Sequence, residues 1–199
     1  MKVFEGKNQN KLYLRMLREL WEKGEVSKPR GKIVKEFNHV VTIIQNPLER
    51  IQTIYGRGGN IFFQVAEILW ILNKMGDTKF ITHYSKNMEL FKDDGYEMYN
   101  APYGIRLRKW GVRRDGFCII DEPFDQLFDV YKKLKADTET RQAVSTLHIP
   151  IFDAFEVQTK DRSCNIASMW KIRKGKLNLT QIIRSNDITW GLFPNNVWQ

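Results

Sequence analysis

Apolar residues recur along this chain with two different periods, and the spacing predicts a mixture of helices and strands. From about Asn10 to Lys23, the positions Leu12, Met16, Leu17, Leu20 and Trp21 share one helical face, and Gly24 supplies the stop. Lys28-Pro29-Arg30-Gly31 has turn composition, and Val40 to Ile44 reads as a strand. A second helix is predicted from about Phe62 to Lys74; it is apolar nearly all round, which predicts burial. A third runs from about Phe124 to Lys135, where Phe124, Leu127, Phe128, Tyr131 and Leu134 keep helical spacing. Ala143 to Ile149 reads as a strand. Ile166 to Arg173 and Leu177 to Arg184, joined by Lys174-Gly175-Lys176, read as a hairpin. Helices and strands mix without strict alternation, so the expected class is α+β rather than a doubly wound sheet. No repeat or Pro/Ser-rich linker breaks the order, and a single domain over residues 1–199 is expected.

Composition narrows the class. With 42% hydrophobic and 13% aromatic residues the chain is globular, not disordered. The longest apolar run, Val65 to Leu72, is interrupted by Glu67 and falls short of a membrane span, so no membrane association and a cytoplasmic location are expected. Two cysteines, Cys118 and Cys164, make no disulfide framework, and His39, His83 and His148 have no ligand spacing; reduced thiols and no metal are expected. The net charge of +9 favours an anionic partner, a nucleotide, a polyanionic cofactor or nucleic acid, or else marks only a basic surface. The densest basic stretch, Arg106, Arg108, Lys109, Arg113 and Arg114, reads as a solvated loop with a polyanion contact as the alternative.

The residues that carry chemistry gather toward the C-terminal end. Cys164 is either an inert buried thiol or a nucleophile. It needs a cationic setting to ionise, which Arg162 and Arg184 could supply. Arg184-Ser185 offers a guanidinium fork and a hydroxyl at a strand end, suited to phosphate, although Arg184 could instead pair with Asp187. Glu67, inside an apolar helix, is either ion-paired or poised to move a proton through water. Asn195, whose carboxamide both donates and accepts, matches the N3–H and O4 edge of uracil, or is a turn residue.

Taken in order, Cys164, Arg184-Ser185-Asn186-Asp187 and Gly191-Leu192-x-x-Asn195 resemble the thymidylate synthase family, which includes the pyrimidine hydroxymethylases. Upstream, Arg30 resembles the family's phosphate-binding arginine, and Ala66-Glu67-Ile68-Leu69-Trp70 its glutamate helix. Tyr103-Gly104 resembles its active-site wall, and Asp125-Gln126-Leu127 and Thr140-Arg141-Gln142-Ala143-Val144 its Asp-Gln helix and cross-subunit arginine strand. The resemblance implies a mixed twisted β-sheet packed against helices and a sheet-mediated homodimer. It also implies transfer of a one-carbon unit from 5,10-methylenetetrahydrofolate to C5 of dUMP, forming dTMP. Cys164 would add to the pyrimidine, Glu67 would organise water, and Tyr103 would position removal of the C5 proton. Arg30, Arg184, Ser185 and, across the dimer, Arg141 would hold phosphate, Asn195 would read the base, and Asp187 with Gly191 would hold the folate.

Several positions depart from that pattern. Asn165 follows the cysteine where synthases have histidine, Gln142 replaces the second arginine of an Arg-Arg pair, and Glu89 and Lys92 stand where folate-shielding tryptophans belong. A less shielded site admits water, so hydroxymethylation of dUMP, or of dCMP or CMP, is the first alternative. Asn195 disfavours the cytosine version, since a carboxylate accepts from cytosine's amino group. A non-catalytic nucleotide- or RNA-binding relative is the second alternative. The resemblance ends before the family's ribose-binding His-x-Tyr segment, so the domain reads as truncated there.

Overall fold

A computed structural model describes residues 1–154 and 159–192, which fall into two compact units, Met1–Gln64 with Asp187–Gln199 and Val65–Asn186. In the first unit, strand β1 (Lys2–Gly6) lies parallel to β4 (Val40–Ile44), with helix α1 (Gln9–Lys23) between them in sequence; β2 (Glu25–Ser27) and β3 (Val34–Glu36) form a small antiparallel ladder. Asn8 caps α1 by accepting from the Lys11 amide at 3.2 Å, and Gly24 ends it, its amide donating to the Leu20 carbonyl at 2.9 Å. A Cβ at Gly24 would stand 2.5 Å from that carbonyl, so the stop requires glycine.

The buried face of α1 is Leu12, Tyr13 and Met16, packed with Phe4 and bordered by Leu17, Phe37, Ile44, Ile54, Ile188 and Leu192. Trp21 departs from the expectation. It lies at the last turn, beyond the reach of that core, and is 74% exposed with the Lys35 ammonium over its ring. The strand β1 has no apolar alternation to declare it, because only Phe4 faces inward and its neighbours are charged or exposed.

Helix α2 (Ile61–Leu72) begins where Asn60 Oδ1 accepts from the Phe63 amide at 2.9 Å. It ends two residues before the expected Lys74. Lys74 takes φ 61°, and the Met75 and Lys74 amides return to the Trp70 and Ile71 carbonyls, a left-handed helix stop. The expectation of burial all round is corrected: Phe63, Ala66, Trp70 and Ile71 are buried, whereas Ile61, Phe62, Val65, Leu69 and Leu72 are exposed.

The second unit continues with short helices α3 (Thr78–Tyr84) and α4 (Tyr103–Arg108), then α5 (Gln126–Ala136) and α6 (Pro150–Asp153). Strands β5 (Val144–Thr146), β6 (Asn165–Arg173) and β7 (Lys176–Ile183) form an antiparallel sheet in that spatial order. The predicted hairpin is present, and its turn places Lys174 and Gly175 at φ 52° and 69°, the left-handed pair that matches strand twist. The strand expected over Ala143 to Ile149 is shortened because Pro150 starts α6. Among the described residues the strands form three separate small sheets.

Two close approaches hold the site-bearing elements. A Cβ on Gly104 would stand 2.6 Å from the Met75 carbonyl, so only glycine lets the first turn of α4 lie against the end of α2. Gln126, capped over by Asp125 at the start of α5, reaches β5: its Nε2 donates to the Arg106 and Thr146 carbonyls at 2.8 Å each, and its Oε1 accepts from the Thr146 amide at 2.9 Å.

Candidate active site

Cys164 lies at the entrance to β6, half-buried and unbridged to Cys118. The antiparallel pairing of β6 with β7 brings Arg184 beside it, and the Arg184 amide donates to the Cys164 carbonyl at 2.9 Å. The guanidinium of Arg184 then folds back along the approach to the strand. Its Nε donates to the Ser163 carbonyl at 2.8 Å, and its Nη2 lies 3.4 Å from the Arg162 carbonyl and 3.7 Å from Cys164 Sγ. A cation at that distance stabilises negative charge on sulfur. The register between β6 and β7 slips between Asn165 and Ala167, leaving Ile166 as an extra residue. Such a bulge re-aims the side chains next to it, here those flanking the sulfur.

The hydroxyl of Tyr103, at the start of α4, accepts from the Asn165 amide at 3.3 Å. Burial, first of all, raises the phenol well above its ordinary value, and the neighbouring Cys164 and Asp161 push the same way. Tyr103 is therefore a neutral hydroxyl, bonded to the residue that follows Cys164. Asn165 is 7% exposed, and its Oδ1 is buried with no protein donor among the described residues. Sequence reasoning gave no role to Asp161, whose Oδ2 accepts from the Ala101 amide at 2.7 Å. Burial raises its carboxyl to about 6, against the bond from Ala101 and the pull of Arg106, with Asp153 and Asp93 adding to the rise. Its only signal in the sequence is an acidic residue three positions before the cysteine.

Thus Cys164, Tyr103 and Arg184 are brought together in the second unit. Glu67 belongs to the same unit and is half-buried in the middle of α2. Ser185 and Arg141 are exposed, Ser185 two residues after the end of β7 and Arg141 three residues before β5. Arg30, Asp187 and Gly191 belong to the first unit. Arg30 is exposed and holds φ 49°, a left-handed backbone unusual for a residue with a side chain, followed by Gly31 at φ 82°. Asp187 Oδ1 accepts from the Thr189 amide, the Thr189 hydroxyl and the Trp190 amide at 2.6, 2.6 and 2.7 Å. Its carbonyl takes the Gly191 and Leu192 amides at 2.9 Å each. Asn195 lies outside the described residues.

The profile described as thymidylate synthase matches residues 11–199. The chain belongs to the thymidylate synthase family. Among relatives, a protein of Bacillus phage SP01 named deoxyuridylate hydroxymethyltransferase is 47% identical over 199 residues, all of this chain and 51% of that protein. One of the same name from Pseudomonas phage M6 is 29% identical over 98% of this chain and 53% of its own length. A protein of Methanosarcina acetivorans, provisionally named a thymidylate synthase, is 26% identical over 99% of this chain and 76% of its own. The chain spans about half the length of the phage relatives. Thymidylate synthase-family enzymes use methylenetetrahydrofolate as co-substrate and act on a pyrimidine nucleotide.

Within this family member, the basic stretch is a solvated loop only in part: Lys109 is exposed and the side chains of Arg113 and its partner Asp115 are 40% and 41% exposed, whereas the rest is tied into enclosed ion pairs. Arg106 pairs with Asp153 at 3.0 Å, both 1% exposed, and Arg108 pairs with Asp125 at 2.8 Å. Arg113 pairs with Asp115, and Arg114 with Asp93. Four of its five cations are spent on carboxylates of the same chain, three of them at least partly enclosed. Among the described residues, no helix is long and apolar enough to cross a membrane.

Proposed function

We propose that the chain carries the nucleotide-activating chemistry of a deoxyuridylate hydroxymethyltransferase. The observation that supports this best is the Arg184 guanidinium 3.7 Å from the Cys164 sulfur, with the Tyr103 hydroxyl on the amide of the next residue. Cys164 would attack C6 of dUMP as a thiolate, making C5 nucleophilic. Tyr103, held neutral, would position the removal of the C5 proton, and Glu67 would organise water. Arg184 Nη1 has no partner among the described residues and is available to a phosphate oxygen alongside Ser185; Arg30 and, across a homodimer, Arg141 would add to that grip. Asn195 would read the uracil edge.

Folate, when bound, supplies the one-carbon unit. The residues present fit it at one point: Asp187 commits Oδ1 to its own turn, while Oδ2 has no partner among the described residues and the residue is exposed, so it can accept an N–H from a pterin ring beside Gly191. The reaction takes dUMP, methylenetetrahydrofolate and water to 5-hydroxymethyl-dUMP and tetrahydrofolate, and the thiolate is regenerated. Hydroxymethyl is favoured over the methyl product first expected because the two phage relatives carry that name. Asn165, next to Cys164 in sequence, agrees: its carbonyl oxygen, buried and without a partner among the described residues, can hold a water. The mixed twisted sheet and sheet-mediated homodimer implied by the family remain part of this proposal.

The test is product analysis with the full-length protein. Mass spectrometry of dUMP after turnover should show a gain of CH₂O with no dihydrofolate formed, and Cys164→Ser should abolish it. A gain of CH₂ with stoichiometric dihydrofolate would return the reading to thymidylate synthase, and unchanged turnover in the serine variant would sink the covalent mechanism.

A further inference from the structure

Asp161 has no part in the roles above, yet it leads directly to the sulfur. Its Oδ2 accepts from the Ala101 amide at 2.7 Å, and its carbonyl accepts from Asn100 Nδ2 at 3.2 Å. Two residues beyond Ala101 stands Tyr103, whose hydroxyl accepts from the Asn165 amide at 3.3 Å. Residues 100–103 therefore grip the chain on both sides of Cys164, at Asp161 before it and at Asn165 after it. The first grip has a rigid backing. The Asn100 carbonyl accepts from Arg106 Nη2 at 3.1 Å, and Arg106 is locked to Asp153 in the core. On its other side, the Asp161 amide donates to Thr159 Oγ1 at 3.3 Å, and that hydroxyl donates to Asp93 Oδ2 at 2.6 Å. Asp161 thus joins the approach to the nucleophile to two internal ion pairs, Arg106–Asp153 and Arg114–Asp93.

We propose that Asp161 is a positioning residue for Cys164: its bond to the Ala101 amide fixes the residues leading to the sulfur against the segment that carries Tyr103. The sulfur, the phenol and the Arg184 guanidinium then keep one arrangement. The inference rests on Cys164 being the nucleophile of the proposed reaction. Geometry is where such a residue acts, because a displacement of about 1 Å in a reacting group can cost roughly 100-fold in rate. An asparagine at 161 keeps an oxygen for the Ala101 amide; an alanine does not.

The experiment compares Asp161→Ala and Asp161→Asn in the full-length protein by three readouts. These are kcat and KM for dUMP, the alkylation rate of Cys164 by iodoacetamide without nucleotide or folate, and thermal unfolding. Peptide mass spectrometry scores Cys164 separately from Cys118. The expected result is a fall in kcat of about 100-fold in D161A with KM within about threefold, an altered Cys164 alkylation rate, and recovery of most of both in D161N. D161A that folds and keeps kcat and alkylation within about twofold of the wild type overturns the proposal, as does equal impairment of both variants. Should D161A fail to fold, Asp161→Ser takes its place in the same comparison. A wild-type protein that alkylates at Cys164 but turns over no dUMP would refute the proposed function alone, leaving the alkylation arm to judge the positioning role.

Discussion

At the scale of single residues, buried charge is what the sequence hides best. Arg106 looked like part of a basic surface, but its partner Asp153 lies 47 positions away and both are enclosed. Asp161 is illegible in the sequence for the same reason: its partner, the Ala101 amide, is 60 positions upstream. Cys164, Tyr103 and Arg184 were legible because their order along the chain is distinctive, and the structure places them together. The Asp161 carboxyl makes a prediction of its own. Its native value, raised to about 6 by burial, exceeds the 3.8 of a free side chain. The native state therefore keeps a proton that the unfolded chain has released, and the resulting stabilisation is fully present below the unfolded value and lost as pH rises through about 6. Against the upward push of burial, Asp93 is lowered by the Thr159 hydroxyl, the Lys160 amide and Arg114, and Asp125 by Arg108 and the Phe128 amide; both act oppositely and lose their contribution as pH falls. Comparing the wild type with Asp161→Asn isolates the first effect. From about pH 4 to about pH 7, urea unfolding should show the wild type losing about 3 kcal/mol relative to the variant. A pH-independent difference would place the Asp161 carboxyl in water.

At the scale of elements, regular period made elements legible and short length concealed them. Helix α1, strand β4 and the β6–β7 hairpin follow their hydrophobic spacing closely. Helices α3, α4 and α6, of 7, 6 and 4 residues, are too short for a period to declare itself; Asp77 caps α3, while the N-caps of α4 and α6 make no side-chain bond and tertiary contacts hold them. The apolar spacing of α5 misleads in another way: Phe124, Phe128 and Tyr131 are exposed, while Gln126 and Val130 are buried. Gln126 is the joint between α5 and β5, with every polar atom of its side chain used. Gln126→Leu should cost about 2–4 kcal/mol by chemical denaturation, because it strands the Thr146 amide and two carbonyls away from water. Gln126→Glu should cost at least as much, since it turns a donor into an acceptor facing those carbonyls. A loss under about 0.5 kcal/mol in both would mean that the joint is open to solvent.

At the scale of the whole molecule, the amount of apolar surface left in contact with water stands out. On α2, Val65, Leu69 and Leu72 line up at spacings of four and three residues and are 43, 50 and 49% exposed, beside Phe62 at 76%. A helix read from sequence as buried all round thus uses only part of its circumference in a chain that spans about half the length of its phage relatives. Exposed apolar rows of this kind are usually covered by something or else adhere. The 199-residue chain should therefore bind the dye ANS in its native state, with fluorescence lost on unfolding in urea. Replacing Val65, Leu69 and Leu72 together by glutamine, a good helix former, should remove much of that signal while changing unfolding free energy by no more than about 1 kcal/mol, because the row contributes little to the core it faces away from. The buried side of the same helix sets the contrast: Trp70, whose Nε1 donates to the Asp77 carbonyl at 3.2 Å, should cost about 3–5 kcal/mol when cut to alanine. Equal costs on the two sides would mean that α2 is enclosed all round, as its composition first suggested.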